Sequence, residues 1–475
     1  MTTDWESLVN RCADAFRLPS VAAGIYTGGK ECFITRGRAG ICGKPVTPDT
    51  VYPIASASKA FIATAVMLLQ ERDLLDLDAP VARYLPDFAL YTQELTDNLT
   101  VRDMLCHRSG LPRHDLTLYI CQNVPLEEMV RRMRYLQPAW PLRQRFCYQN
   151  HMFAAVSLLV ERVTGVPWGQ YVEEAIFKPL GMERSYTLFH DSRWDDNYAR
   201  PLAMLGGLKL PIKAMNTDST GSAGSISGSC RDMLRWAQVN LLSGVSGKQV
   251  ISKYASAQLH GQQMPIKPGE MLPYELPEVD GCSYGLGWFV EHFRGEKLVH
   301  HGGTVSGYKS LVGFMPEKDF AFVILCNANN TLACTALGYA LCDAALGVPD
   351  ATWFERYIEI QRQRASKAKQ LYRERMQKPD VKPNQQGCAG RYANGAYGVV
   401  RIAKKGRRFS LEMEGQTGKA VLAPSRADEY VLNIPMAHMA LPCRFERKDG
   451  IVTALEARFE ENLETYIPFA RLPTE

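Results

Sequence analysis

The sequence predicts an α/β (α+β) fold followed by a separate all-β C-terminus, and three observations carry that expectation. Strand-like hairpins stand at both ends of residues 1 to about 350, with helical segments between them. That pattern implies a sheet closed by both chain ends, flanked by helices, with a helical subdomain. A highly charged helical stretch, Trp353 to Gln377, then runs into "KPDVKPNQQG", whose prolines and polar residues read as a linker. Beyond Cys388 the period falls to two: in "RRFSLEMEG", Phe409, Leu411 and Met413 point one way and Ser410, Glu412 and Glu414 the other. The expected division is therefore 1–350, a connecting helix and linker at 351–387, and a small β-barrel or sandwich at 388–475.

The elements follow in order. "MTTDWESLVNRCADAF" is an amphipathic helix start. "AGIYTGG" and "ECFITRG" form an early hairpin. "ASASKAFIATAVMLL" (Ala55 to Leu69) carries a polar knot into an apolar helix. "HMFAAVSLLVERVTG" is a helix stopped by Gly165 as C-cap. "SLVGFMPEKDFAFVILCNA" is a late hairpin turning at Pro316–Asp319. In the last zone "YGVVRIA", "YVLNI" and "CRFERKDGIVTALEARF", the last with an Asp-Gly turn, belong to about eight short strands. The basic run Lys404 to Arg408 reads as a turn between two of them.

The chain has 475 residues, 46% of them hydrophobic, which is ample for a large core. Its 55 basic and 50 acidic residues leave a formal charge of +5, too diffuse to indicate a nucleic-acid or membrane partner. The 13 cysteines are scattered, with no Cys-x-x-Cys pair and no Cys/His cluster at zinc spacing, so no metal or other cofactor is expected. There is no basic-then-apolar leader and no membrane-length apolar window. Free thiols without an export signal place the expected location in a reducing cytoplasm.

Chemistry concentrates first at "SASK". Ser56 and Lys59 are three apart at a helix start, so their side chains share a face. Ser58 is adjacent to Lys59 and diverges by about 100°. A hydroxyl, an amine to take its proton and the free N–H groups of a helix N-terminus make a nucleophile site. The amine serves as base only if burial or positive neighbours lower its pKa. The motif alone is cheap, since "SGYK" from Ser306 and "SKAK" from Ser366 match it too, and a serine at a helix start is more often an N-cap.

The wider pattern is specific. "YPIASASKAFIATAVMLLQERDLLDLDAPVARYLP", "LTVRDMLCHRSGLP", "FCYQNHMFAAVSLLVERVTGVPWGQYVEEAIFKPLGMERS", "GSAGSISGSCRDMLRWAQ", "YGLGW" and "HGGTVSGY" occur in one order over the first 350 residues. Together they resemble the serine β-lactamase and penicillin-recognising superfamily in its class C-like branch, which also holds D-aminopeptidases, DD-carboxypeptidase-like enzymes and esterases. The resemblance implies an antiparallel sheet flanked by helices with a helical subdomain, and a lipocalin-like barrel at the C-terminus. It implies Ser56 as the acylated nucleophile, Lys59 as its amine partner and Tyr148 as the base and then acid. Asn150 would orient the lysine and hold a substrate amide. Gly303 belongs to the His-x-Gly triplet that precedes Thr304, and the backbone N–H groups of Ser56 and Thr304 would form an oxyanion hole.

His300 and His301 both begin a His-x-Gly. In the family a Gly-aromatic pair follows the first motif residue by six positions, so the resemblance, counted back from Gly307-Tyr308, implies His301 and leaves His300 as a strand residue facing the other side. True class C β-lactamases carry lysine there. A histidine, mostly neutral near pH 7, grips a carboxylate less firmly. The expected activity is a serine hydrolase acting through an acyl-enzyme on a small peptide or amide, D-residues included. A carboxylesterase or weak β-lactamase is the alternative, and a catalytically silent binding scaffold the alternative of another class. The expected partner is a small molecule or short peptide, with no nucleic acid and no membrane; a homo-oligomer is compatible. A second Tyr-x-Asn at Tyr392 falls in the barrel zone. "HRSGLPRH" (His107 to His114) is read as structural and "STGSAGSISGS" as a flexible segment bordering the site.

Overall fold

The computed structural model describes residues 4–473 except 121–122, 206–207, 243–249, 271–275, 350–351, 376–383, 406–407, 414–419, 425–428 and 435–438. Most of the expected linker and the centre of the Lys404–Arg408 turn lie outside the described residues.

An eight-stranded antiparallel sheet organises residues up to about 326. Its strands are β1 (Ser20–Thr27), β2 (Lys30–Gly37), β3 (Met264–Ile266), β4 (Val279–Tyr284), β5 (Phe289–Phe293), β6 (Glu296–Val305), β7 (Tyr308–Met315) and β8 (Phe320–Cys326), in the order β2-β1-β8-β7-β6-β5-β4-β3. The expected closure by both chain ends is the β1–β8 pairing, Val21 opposite Cys326 through Thr27 opposite Phe320. Both strands read as near-continuous apolar runs because helices cover both faces. On the front face lies α4 (Cys230–Leu242). On the back lie α1 (Trp5–Ala15), capped by Asp4 accepting from the Ser7 N–H at 2.9 Å, and α5 (Ala333–Ala345).

Side-chain alternation separates the two faces. Val299, Val312 and Val323 join the core under the front helices, whereas Leu298, Leu311 and Phe322 join the core with α1 and α5. β5 begins only at Phe289, opposite His300. From His301 to Val305, β6 is therefore paired only with β7, and its other edge is open.

The helical subdomain is built on α2 (Lys59–Gln70) and α3 (Asn150–Thr164). α2 is apolar all round and almost wholly buried, as a central helix must be. α3 ends at Gly165 with φ 75°, the left-handed C-cap expected of it.

The charged helix α6 (Trp353–Arg375) is not solvated over its whole length, as a mere connector would be. Trp353, Phe354 and Tyr357 are buried in the back-face core, and Trp353 Nε1 donates to Asp343 at 2.7 Å. Beyond it stands a closed barrel of eight strands: β9 (Gly390–Asn394), β10 (Gly398–Lys405), β11 (Arg408–Met413), β12 (Ala420–Pro424), β13 (Glu429–Ile434), β14 (Met439–Lys448), β15 (Ile451–Ala457) and β16 (Ile467–Arg471). Closure comes from β9 pairing β16, with Tyr392 opposite Arg471. Phe409, Leu411 and Met413 do point inward. The Asp449-Gly450 turn has φ 50° and 79°, the doubly positive pair a tight hairpin needs.

Candidate active site

The site forms where α2 begins under the open edge of β6. The "SASK" knot is not the first turn of an α-helix but a 3₁₀ turn, Ala55–Ser58, that runs into α2 at Lys59. With three residues per turn, i and i+3 eclipse. Lys59 Nζ thus lies 3.1 Å from Ser56 Oγ. Ala55 enters the turn with φ 48°, a left-handed conformation that costs an L-residue about 1–2 kcal/mol. Ser58 is occupied elsewhere: its Oγ donates to Ala55 O at 2.5 Å and accepts from the Ile226 N–H at 3.2 Å. It stitches the turn together, while Ser56 alone of the knot keeps solvent exposure.

Lys59 is fully buried. Besides Ser56, its Nζ donates to Asn150 Oδ1 at 2.8 Å and to Ala223 O at 2.7 Å. Burial, with the Arg113 guanidinium adding to it, holds the amine well below its ordinary range, and Asp115 opposes only in part. Tyr148 is also buried and hydrogen-bonds Ser56; burial pushes its phenol up, so it is protonated at neutral pH. Its ring lies 4.9 Å from Lys59 Nζ and 4.8 Å from the Arg113 guanidinium carbon. Asn150 starts α3, and its Nδ2 donates to Asp115 Oδ1 at 2.8 Å, which fixes the amide orientation.

On β6, His301 faces the Ser56 side and is 1% exposed. Its Nδ1 is 2.7 Å from Gly302 O, a pure acceptor, so Nδ1 carries the proton and Nε2 accepts from the Tyr284 hydroxyl at 2.9 Å. Burial, and then the Lys59 amine, hold this imidazole neutral, well below the usual histidine range. His300 faces the back of the sheet, as the spacing argument expects.

Gly303 explains how β6 approaches the Ala55–Ser58 turn: a Cβ there would fall 1.9 Å from Ile54 O and 2.4 Å from Ser310 Oγ. Ser310 in turn donates to Ile54 O at 2.7 Å, tying β7 to the same turn. Thr304 is exposed on the open edge, and its Oγ1 accepts from Lys309 Nζ at 2.6 Å. All seven expected residues except buried Lys59 line one cavity of about 1180 Å³.

Three residues at the site were not foreseen in the sequence: Arg113, Asp115 and Ala223. Arg113 and Asp115 line the same cavity, 2.6 Å apart, and contact Tyr148 and Asn150. Ala223 supplies a carbonyl to Lys59. Its segment borders the site but is not a flexible loop: Ser219 to Ala223 and Ser225 to Ser229 are buried, and Ser157 and Ser222 pair at 2.8 Å. The "HRSGLPRH" histidines are both buried. The His107 ring lies 4.2 Å from the Tyr148 ring, tilted by 39°, and its Nδ1 accepts from the Gln149 N–H at 3.1 Å. His114, with φ 46°, is held by the barrel: its N–H donates to Glu460 Oε2 at 2.8 Å and its Nδ1 meets Tyr397 Oη at 2.8 Å.

Residues 5–344 match the beta-lactamase family. The chain belongs to that family. Among curated relatives, this beta-lactamase-family chain is 28% identical over 378 residues to the unguisins hydrolase ungD' of Aspergillus campestris, covering 76% of this chain and 69% of that one. It is 26% identical over 342 residues to penicillin-binding protein 4 of Amycolatopsis lactamdurans, covering 68% and 84%. Among solved structures, an octameric penicillin-binding protein homologue from Pyrococcus abyssi superposes with a TM-score of 0.65 at 21% identity, over 98% of this chain and 99% of that one. The D-amino acid amidase of Ochrobactrum anthropi SV3 superposes with a TM-score of 0.59 at 20% identity, over 72% and 98%. The fold expected of the family is the fold observed. Among the described residues no helix is long and apolar enough to cross a membrane, and no three His, Cys, Asp or Glu side chains converge as metal ligands.

Proposed function

We propose that this chain is a serine hydrolase that works through an acyl-enzyme on a small amide or peptide, with D-amino-acid amides as the preferred class. The observation that carries the reading is the state of Lys59. Its amine is buried, has no carboxylate bonded to it, and touches two pure acceptors and one hydroxyl. A neutral amine has two N–H bonds and one lone pair. Giving its two N–H bonds to Asn150 Oδ1 and Ala223 O leaves the lone pair for the Ser56 proton.

The proton inventory then closes. Ser56 Oγ attacks the substrate carbonyl as its proton passes to Lys59 Nζ. Tyr148, a neutral phenol on Ser56, gives its proton to the leaving amine and recovers one from the lysine. The Ser56 and Thr304 N–H groups take the oxyanion. Water deacylates the serine by the reverse path. Asn150, held by Asp115, keeps the lysine aimed. With His301 neutral and bonded at both nitrogens, this position offers no cation where the family's lysine would meet a carboxylate, which favours amides and esters over penicillin-like acids. The names of the similar proteins, hydrolases and amidases among them, agree with this class. The same reading assigns catalysis to residues 1–350, with 351–387 joining it to the barrel at 388–475.

The test is a panel of D- and L-aminoacyl amides, short acyl esters and a chromogenic cephalosporin, each read against Ser56→Ala. Turnover of the amides, D over L, that vanishes in Ser56→Ala is expected. Amide turnover that survives in Ser56→Ala contradicts the nucleophile. Ester turnover alone would move the assignment to the carboxylesterase reading.

A further inference from the structure

Behind the strand edge that carries Thr304, three residues form one row across the back of the sheet. Thr304 of β6 stands opposite Lys309 of β7, and Lys309 stands opposite Cys326 of β8. Residues directly opposite across antiparallel strands share a face, about 4.5–5.5 Å apart. Lys309 leans along the row and donates from Nζ to Thr304 Oγ1 at 2.6 Å. At the other end Cys326 Sγ meets Cys334 Sγ, from the first turn of α5, at 3.7 Å.

The chain brings these sulfurs together locally. β8 ends at Cys326 and α5 begins at Ala333, so a short connection turns the helix back onto the strand end. Asn327 anchors that connection: its Oδ1 accepts from Ser20 Oγ at 2.7 Å and its Nδ2 donates to Arg200 O at 3.0 Å. Cys326 is fully buried, whereas Cys334 lines the Ser56 cavity. A small solute that reaches Ser56 therefore also reaches the Cys334 sulfur.

Burial alone pushes a thiol up, as it does at Cys12 and Cys342. Cys326 is instead held below the usual thiol range. It accepts the Cys334 S–H, and the Ala328 N–H and the Lys309 charge add to that against burial. A thiolate shared between two touching sulfurs, beside an ammonium and open to a cavity, is the surrounding of a reactive cysteine; a structural buried thiol lacks it.

We propose that Cys326 and Cys334 are a redox-active pair that closes to a reversible disulfide under a hydroperoxide, and that closure slows acylation at Ser56. The effect on Ser56 rests on the hydrolase reading above; the disulfide does not. The peroxide enters through the cavity and meets Cys334. The sulfur attacks one peroxide oxygen, the O–O bond breaks, water leaves and a sulfenic acid remains. Cys326 sulfur then attacks the Cys334 sulfur, the S–O bond breaks, and the hydroxyl leaves as a second water with the Cys326 proton. Two thiols are oxidised and one peroxide is reduced. Closure draws the sulfurs from 3.7 Å to about 2.05 Å and leaves neither thiol nor thiolate beside Lys309. The row passes that change to Thr304, the proposed oxyanion donor.

The test uses the full chain carrying Cys32→Ser and Cys42→Ser, which removes two exposed thiols. It is treated with hydrogen peroxide, alkylated and mapped with chymotrypsin without reduction. Peptides joined through Cys326 and Cys334 are expected, and dithiothreitol is expected to separate them. Fluorophosphonate labelling of Ser56 is expected to slow several-fold in the oxidised protein and to recover with dithiothreitol. Cys326→Ala and Cys334→Ala are each expected to lose both the link and the response of labelling to peroxide. Separate alkylation of the two cysteines after peroxide, irreversible oxidation of Cys334 alone, or a labelling rate indifferent to the link would overturn the proposal. A reversible link in a protein whose Ser56 is unlabelled in both states would bear out the disulfide and contradict the nucleophile instead.

Discussion

At the scale of single residues the account turns on the charge of Lys59. Its folded pKa is held below that of the unfolded chain, so between the two values the unfolded state binds more protons. Stability from this group is therefore lacking at low pH and rises with pH through that window. The slope is at most about 1.4 kcal/mol per pH unit. Burial raises the thiols of Cys12, Cys106, Cys147, Cys230 and Cys443, which titrate in the opposite sense and are common to both proteins, so the difference between wild type and Lys59→Met isolates the lysine. Thermal melts from pH 6 to 10 are expected to show wild type gaining on Lys59→Met as pH rises; a constant difference would mean that the amine stays charged. Activity of Lys59→Met is expected to fall by roughly 10²–10⁴, the usual contribution of a general base. At His301 the partner matters more than the ring. Tyr284→Phe strips Nε2 of its donor in a buried place. The expected cost is about 1–3 kcal/mol, read as a lower melting temperature, without the loss of Ser56 labelling that Lys59→Met brings.

The Ser56–Lys59 pair was legible because it is local: spacing alone places i and i+3 together, and the 3₁₀ turn does so more directly than an α-turn. The choice of His301 over His300 came from the family's six-residue spacing to Gly307-Tyr308, and strand alternation then puts His300 on the other face. Arg113 and Asp115 were not. Their position depends on His114, whose partners Tyr397 and Glu460 lie 283 and 346 residues away in sequence, and no periodicity reports such contacts. The Ala223 segment was misjudged because serine and glycine favour exposed turns, whereas here the Ser222 and Ser225 hydroxyls bond Ser157 and the backbone in a buried place. At the scale of elements, the approach of β6 to the Ala55–Ser58 turn is the decisive contact. Gly303→Ala puts a methyl group into Ile54 O and must push the strand edge off the turn. It is expected to destabilise by about 1–3 kcal/mol and to slow acylation far more than substrate binding, because the strand edge and the turn carry the two proposed oxyanion donors. A kcat/KM like that of wild type would remove Thr304 from the proposed oxyanion hole.

For the whole molecule, the question is what the barrel does for the site. No described barrel residue lines the cavity. Its reach is indirect, through Tyr397 and Glu460 to His114, and from there to Arg113 and Asp115 on either side. Glu460→Gln keeps the shape but removes the charge that the His114 N–H meets, and Tyr397→Phe removes the hydroxyl on its ring. Both variants are expected to keep a folded barrel and labelled Ser56, yet to lower kcat and shift its acid limb, because Arg113 bears on the Lys59 and Tyr148 protons. An unchanged pH profile in both would make the contact a docking feature only.

The central claim is that Ser56, activated by a neutral Lys59, forms a covalent acyl or acyl-like adduct. Intact-protein mass spectrometry after exposure to a fluorophosphonate probe tests it most directly, with peptide mapping of the adduct and Ser56→Ala and Lys59→Met run in parallel. The account predicts one adduct per wild-type chain, mapped to Ser56, slowed by orders of magnitude in Lys59→Met and absent in Ser56→Ala. An unlabelled wild type, or an adduct that persists unchanged in Ser56→Ala, would contradict it.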